Sequence, residues 1–153
     1  MHHTTLPHDR SSQLWVEHTP TDKLMASIRR WVTTLMHDEG ITNPLARDEE
    51  TVVAKIFTKE EGILAGITAA DYLLKDWLPG AKWRWTIGDG GVVNAGKMIL
   101  ELEGGREQIL NAERIILNLI GRLSGIATNT SHWVQRARPT KVASTRKVHW
   151  GLL

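Results

Sequence analysis

Two groups of residues in this sequence are of the types that grip anions, and both lie towards its C-terminal end. The first is Ala112-Glu113-Arg114, followed by Leu117-Asn118-Leu119-Ile120-Gly121-Arg122-Leu123-Ser124-Gly125-Ile126-Ala127-Thr128; the second is Thr145-Arg146-Lys147. An arginine guanidinium holds a planar carboxylate through two parallel hydrogen bonds, and lysine supplies a compact charge for carboxylate or phosphate. Fixed cations also stabilise the negative charge that builds on a departing phosphate group. Other chemistries are poorly served. Cysteine is absent, which removes disulfides, thiolate metal sites and thiol nucleophiles together. The seven histidines (His2, His3, His8, His18, His37, His132 and His149) lack the paired spacing of a metal site. Gly88-Asp89-Gly90-Gly91 lacks the lysine and hydroxyl residue of a phosphate loop, and its close-set glycines make a turn that needs no ligand.

The net charge of +2 hides a strong segregation, because Glu113 is the last acidic residue. After it come seven cations (Arg114, Arg122, Arg136, Arg138, Lys141, Arg146 and Lys147), leaving 12 Lys or Arg against 17 Asp or Glu, a net −5, in the first 113 residues. Gathered by the fold, those cations imply an anionic partner: a phosphorylated small molecule, a carboxylate or nucleic acid. A non-enzymatic anion- or nucleic-acid-binding domain is therefore one reading. Against it, the cations are divided among separate predicted elements instead of one stripe, without interleaved aromatic stacking residues.

The elements that must position these groups follow from periodicity. Residues 21–40 read as an amphipathic helix with Thr21 or Asp22 as its cap, and residues 51–58 as a strand rich in β-branched side chains. After a turn at 60–62, the run 62–66 pairs with that strand, and Thr68 caps a helix to Trp77. Residues 82–86 and 97–104 read as strands separated by glycine turns, with Glu101 and Glu103 alternating towards water. These short strands predict a compact β sandwich or half-barrel flanked by helices. A broad apolar stripe (Ile109, Leu110, Ala112, Ile115, Ile116, Leu119 and Ile120) makes residues 106–122 a helix held between layers or at a subunit contact. Ser124-Gly125 separates it from a second helix over 126–136, Pro139 stops that one, and residues 141–145 form a strand leading into Arg146-Lys147.

The hydrophobic share of 41% and charged share of 24% across 153 residues are those of an ordinary globular protein. No apolar run approaches the roughly 18–20 residues of a membrane span, and no secretory signal opens the chain, so the expected compartment is the cytoplasm. Seven tryptophans supply most of the aromatic bulk and are expected mainly in the core.

The ordered segments resemble those of the quinolinate phosphoribosyltransferases. The resemblance rests on Glu113-Arg114, the Leu123 to Thr128 run and Thr145-Arg146-Lys147. It is joined by Glu61-Gly62-Ile63-Leu64-Ala65-Gly66 and by Gly96-Lys97-Met98-Ile99-Leu100-Glu101-Leu102-Glu103-Gly104, and covers roughly residues 20–153. It implies a mixed α/β fold: an N-terminal extension over 1–20, an α+β sandwich domain with its linking helices over 21–138, and the first strand of an incomplete α/β barrel over 139–153. It also implies formation of nicotinate mononucleotide in NAD biosynthesis from quinolinate and phosphoribosyl pyrophosphate, with magnesium on the pyrophosphate. By the same resemblance Arg146 and Lys147 match the substrate-binding pair of the first barrel strand. Arg114 matches the arginine that reaches the neighbouring protomer's active site in a homodimer. Thr145 and His149 are further candidates for touching substrate. The family's histidine-arginine pair, phosphate-site lysine and acidic magnesium ligands belong to later barrel elements, which a companion chain could supply. The chain alone is therefore expected to bind anions weakly without catalysis.

One departure follows the second motif: Val148-His149-Trp150-Gly151-Leu152-Leu153 stands where the family continues with threonine and a proline-glycine turn ending in arginine. A nicotinate phosphoribosyltransferase of the same fold is accordingly the nearest alternative.

Overall fold

The computed structural model describes residues 13–17, 19–46 and 48–143. Two short strands, β1 (Trp15–Val16) and β2 (Thr19–Pro20), pair ahead of α1 (Asp22–Asp38). Then come β3 (Thr51–Phe57), β4 (Gly62–Ile63), α2 (Ile67–Trp77), β5 (Lys82–Trp85), β6 (Val92–Val93), β7 (Met98–Gly105) and α3 (Arg106–Ala137). The mixed α/β class read from the sequence is the one observed. The described strands form a three-stranded antiparallel sheet ordered β3-β7-β5 and two strand pairs, β1-β2 and β4-β6.

Strand alternation decides which way the sheet faces. Ala54, Leu102 and Trp83 stand in register across the three strands, as do Ile56, Leu100 and Trp85, and this side carries the core. The opposite side holds a lattice of ions: Glu101 meets Lys55 at 3.4 Å and Arg84 at 3.8 Å, while Glu103 meets Lys82 at 3.4 Å. Glu101 and Glu103 thus lie on the outer face as expected, each with a cross-strand cation. All these groups are substantially exposed, so each pair contributes no more than about 1 kcal/mol.

Helices close the other side. Thr21 caps α1, its hydroxyl accepting from the Leu24 N–H at 3.4 Å, and the helix buries Ile28, Val32 and Met36. The cap of α2 departs from expectation. Thr68 does not supply it; Asp89, from the turn between β5 and β6, accepts from the backbone N–H groups of Gly66 (2.7 Å), Ile67 (3.0 Å) and Thr68 (3.0 Å), and from the Thr68 hydroxyl (3.0 Å). A carboxylate at a helix start satisfies orphan donors and meets the positive end of the helix dipole, which a threonine hydroxyl does less well.

The largest correction concerns the segment after Arg106. Instead of two helices broken at Ser124-Gly125, a single α3 of 32 residues runs from Arg106 to Ala137. A mid-helix glycine costs about 1 kcal/mol against alanine. That penalty is small beside burial of Ile109, Ile115, Ile116, Leu119 and Ile120, each worth roughly 1.5–3 kcal/mol. Leu110, counted with that stripe in the sequence, is instead 52% exposed. Past the helix, Lys141 to Ala143 carry no regular structure, and the rest of the strand expected over 141–145 lies outside the described residues. Tryptophan is divided: Trp77 is buried, Trp31, Trp83 and Trp85 pack half-buried against the core, and Trp15 and Trp133 are exposed.

Candidate functional site

The start of α3 depends on a residue far away in sequence. Gly105 offers no side chain to cap it, and Asp48 fills the role: Oδ1 accepts from the Arg106 N–H at 3.0 Å and Oδ2 from the Glu107 N–H at 2.7 Å. Desolvation pushes the Asp48 pKa up, but the backbone N–H groups of Glu107, Arg106 and Gln108 and its own outweigh it, so its pKa falls below the usual value. A carboxyl lowered in this way stabilises the fold above its unfolded pKa, and that stabilisation disappears as pH falls through the folded value. Asp48→Asn should therefore be less stable than the parent at neutral pH, and the gap should close in strong acid. Paired urea melts across the acid range would check this; a pH-independent gap would remove Asp48's charge from the explanation.

Eight residues into α3, Arg114 stands on the surface with its side chain 75% exposed, its Nη1 donating at 3.1 Å to Oε2 of Glu39, the residue that caps the C-terminal end of α1. Beside this pair lies a cleft of ≈ 410 Å³ between the end of α1 and the middle of α3, lined by Asp38, Glu39, Asn118 and Arg122 among others. Sequence reasoning missed Glu39 because it sits 75 residues from its partner. The continuous helix also revises the picture of scattered cations. At 100° per residue, Arg114, Arg122 and Arg136 fall within roughly 80° of arc on one side of α3.

The family-like run over residues 123–128 proves to be a fastening. The Ser124 hydroxyl accepts from the Ala65 N–H at 3.0 Å and donates to the Ala65 carbonyl at 3.3 Å, and one turn later Thr128 Oγ1 accepts from the Ile63 N–H at 2.9 Å. The two hydroxyls sit on one helix face and satisfy the backbone of β4 and the residues just after it. Two segments that seemed independent in the sequence, Glu61 to Gly66 and Leu123 to Thr128, are therefore one contact. The other sequence candidates, Thr145, Arg146, Lys147 and His149, lie outside the described residues. Among the described residues no three of His, Asp and Glu gather as ligands for a metal ion, so these residues do not fit a magnesium site. No described helix is long and apolar enough to cross a membrane.

Residues 33–124 match the quinolinate phosphoribosyl transferase N-terminal domain. That span exceeds half the chain. The chain belongs to the quinolinate phosphoribosyltransferase family. Among its relatives, quinolinate phosphoribosyltransferase [decarboxylating] 1 of Nicotiana glauca is 37% identical over 111 residues, covering 72% of this chain and 31% of the relative. A probable nicotinate-nucleotide pyrophosphorylase [carboxylating] of Methanothermobacter thermautotrophicus is 36% identical over 135 residues, covering 84% and 47%. The solved nicotinate-nucleotide pyrophosphorylase of Francisella tularensis superposes with a TM-score of 0.69 at 29% identity, covering 81% of this chain and 47% of that one. The chain thus spans between about a third and a half of the length of these relatives. In this chain the 61–66 and 123–128 segments are the two sides of one fastening that holds α3 in place.

Proposed function

We propose that this chain forms the N-terminal part of a phosphoribosyltransferase that makes nicotinate mononucleotide from quinolinate and phosphoribosyl pyrophosphate. The observation that carries this reading is the family match over residues 33–124, with Arg114 presented at the surface of α3. In it, residues 21–138 are the N-terminal domain with its linking helix, residues 1–20 an extension and residues 139–153 the start of the barrel. Arg114 grips a substrate carboxylate in the active site of a second protomer, while Arg146 and Lys147 hold carboxylate and phosphate in their own. Thr145 and His149 border that pair. Magnesium would sit on the pyrophosphate, held by residues other than those described. We place the enzyme in the cytoplasm.

Arg114 supports this role because its Glu39 partner is a removable placeholder. An exposed ion pair is worth at most about 1 kcal/mol, so an incoming carboxylate displaces it cheaply. Glu39→Gln should accordingly strengthen quinolinate binding by roughly two- to fivefold, and Arg114→Ala should weaken it. An NMR titration of the chain with quinolinate reads both, and unchanged affinity in both variants would remove Arg114 from the site. Nicotinate in the same titration separates dicarboxylate from monocarboxylate recognition.

These 153 residues correspond to less than half of each relative's length, so we expect no turnover from them alone. Incubation with quinolinate, phosphoribosyl pyrophosphate and magnesium should leave nicotinate mononucleotide undetectable; clear production would overturn that expectation.

A further inference from the structure

Where one face of α1 meets the start of α2, the surface opens into a hollow of ≈ 480 Å³. Leu24, Ile28 and Trp31 line it from α1 at three- and four-residue steps, joined by Trp15 of β1 and Leu123 of α3. Glycine and alanine residues at the start of α2 leave the space open. The volume falls in the range of sites for small organic molecules, roughly 300–1,000 Å³, and the mostly apolar walls are of the kind such sites have.

Two ionisable groups border the hollow, Asp89 and Arg30, and they differ in what they have left to give. Asp89 is spent. Its two oxygens already accept from the N–H groups of Gly66, Ile67 and Thr68 and from the Thr68 hydroxyl, which fills the capacity of a carboxylate. Arg30 is exposed, and among the described residues its guanidinium meets only the Ser27 hydroxyl, Nη2 donating at 3.4 Å. No described carboxylate pairs with it, so most of its fork of donors remains for an anion. The hollow therefore suits a molecule with an apolar body and one negative group. Two indoles among its walls favour a flat ring system over a flexible chain, which also loses more conformational freedom when held.

We propose that this hollow binds a planar aromatic monocarboxylate of two fused rings, the rings lying among Trp15, Leu24, Ile28, Trp31 and Leu123 and the carboxylate held by Arg30. A single ring leaves the walls unfilled. A second charged group, as on quinolinate, would be set against apolar walls with no partner, at a cost in desolvation. The ligand is therefore of a different class from the substrates of the transfer reading, and its site excludes Arg114, which pairs with Glu39 beside a separate cleft. Trp31 lines both the hollow and that cleft, so the test leaves it unaltered.

Isothermal titration of the full chain with 2-naphthoate tests it, and a dissociation constant on the order of 100 μM is expected for a ligand of this size. Arg30→Gln should weaken 2-naphthoate about tenfold and leave binding of the neutral 2-naphthalenemethanol unchanged. Ser27→Trp, which fills the hollow from its exposed rim, should weaken both at least about tenfold. Both positions are exposed, so circular dichroism and melting should be unchanged. Arg114→Ala should bind 2-naphthoate like the parent, and quinolinate should not displace it. A parent that does not bind, binding indifferent to Arg30→Gln or to Ser27→Trp, or displacement by quinolinate would overturn the proposal. So would decanoate binding more tightly than 2-naphthoate, since the hollow would then take alkyl chains instead of rings.

Discussion

Asp71→Ala is expected to destabilise the domain by about 3 kcal/mol, lowering its melting temperature by roughly 10 °C. The reason is a double debt on one oxygen. Asp71 Oδ1, on α2, accepts from the indole N–H of Trp83 at 2.8 Å and of Trp85 at 2.6 Å, so a single carboxylate ties the helix to alternate residues of β5. Those indoles face the core in register with Leu102 and Leu100, half-buried, and alanine would leave both N–H groups without an acceptor. An unpaired donor away from water costs about 1–3 kcal/mol, and bonds to a charged acceptor lie at the strong end of the range. Asn at the same position retains the oxygen but not its charge. Asp71→Asn should therefore lose roughly half as much. Urea unfolding followed by tryptophan fluorescence measures both variants; an Asp71→Ala protein within about 0.5 kcal/mol of the parent would show that water replaces the carboxylate without penalty.

What was legible in the sequence shows why periodicity outperforms punctuation. The apolar spacing of Ile28 and Val32 gave α1 almost to the residue, and the alternation of Trp83 and Trp85 gave β5 and its inward face. Ser124-Gly125 misled because a local propensity was read as a break, whereas the serine spends its hydroxyl on Ala65 and the helix passes through. Asp48 and Asp89 show the opposite difficulty. Each caps a helix from a different part of the chain, 58 residues away for Asp48 and 22 or so for Asp89, and no window along the sequence contains both the cap and the capped turn. For the candidate site, the motif nominated Arg114, and the fold sets it on the exposed surface of α3 against Glu39. Glu39 was invisible for the same reason as the remote caps.

The second large effect is expected at Gly66, where two penalties coincide. Its φ of +103° is a conformation that residues with a side chain rarely adopt, costing about 1–3 kcal/mol for alanine. A methyl group there would also lie 2.8 Å from Leu123 Cδ1 and 3.4 Å from its Cβ, inside the contact that seats α3. Overpacking of that kind costs a further 1–3 kcal/mol or so, for a total of about 3 kcal/mol or more in Gly66→Ala. The two causes can be separated. Gly96 has a φ of +77° with nothing within 4 Å of an added carbon, so Gly96→Ala reports backbone strain alone. The excess of Gly66→Ala over Gly96→Ala in urea melts then measures how firmly Leu123 and its helix are pressed against the residues after β4. Gly62→Ala probes the same seam one turn along α3: its methyl would stand 2.8 Å from Thr128 Oγ1, a hydroxyl that cannot retreat without releasing the Ile63 N–H. If Gly66→Ala and Gly96→Ala cost the same, while Gly62→Ala costs nothing, α3 is not fastened at this seam. The 123–128 run would then need an explanation other than holding the helix that carries Arg114.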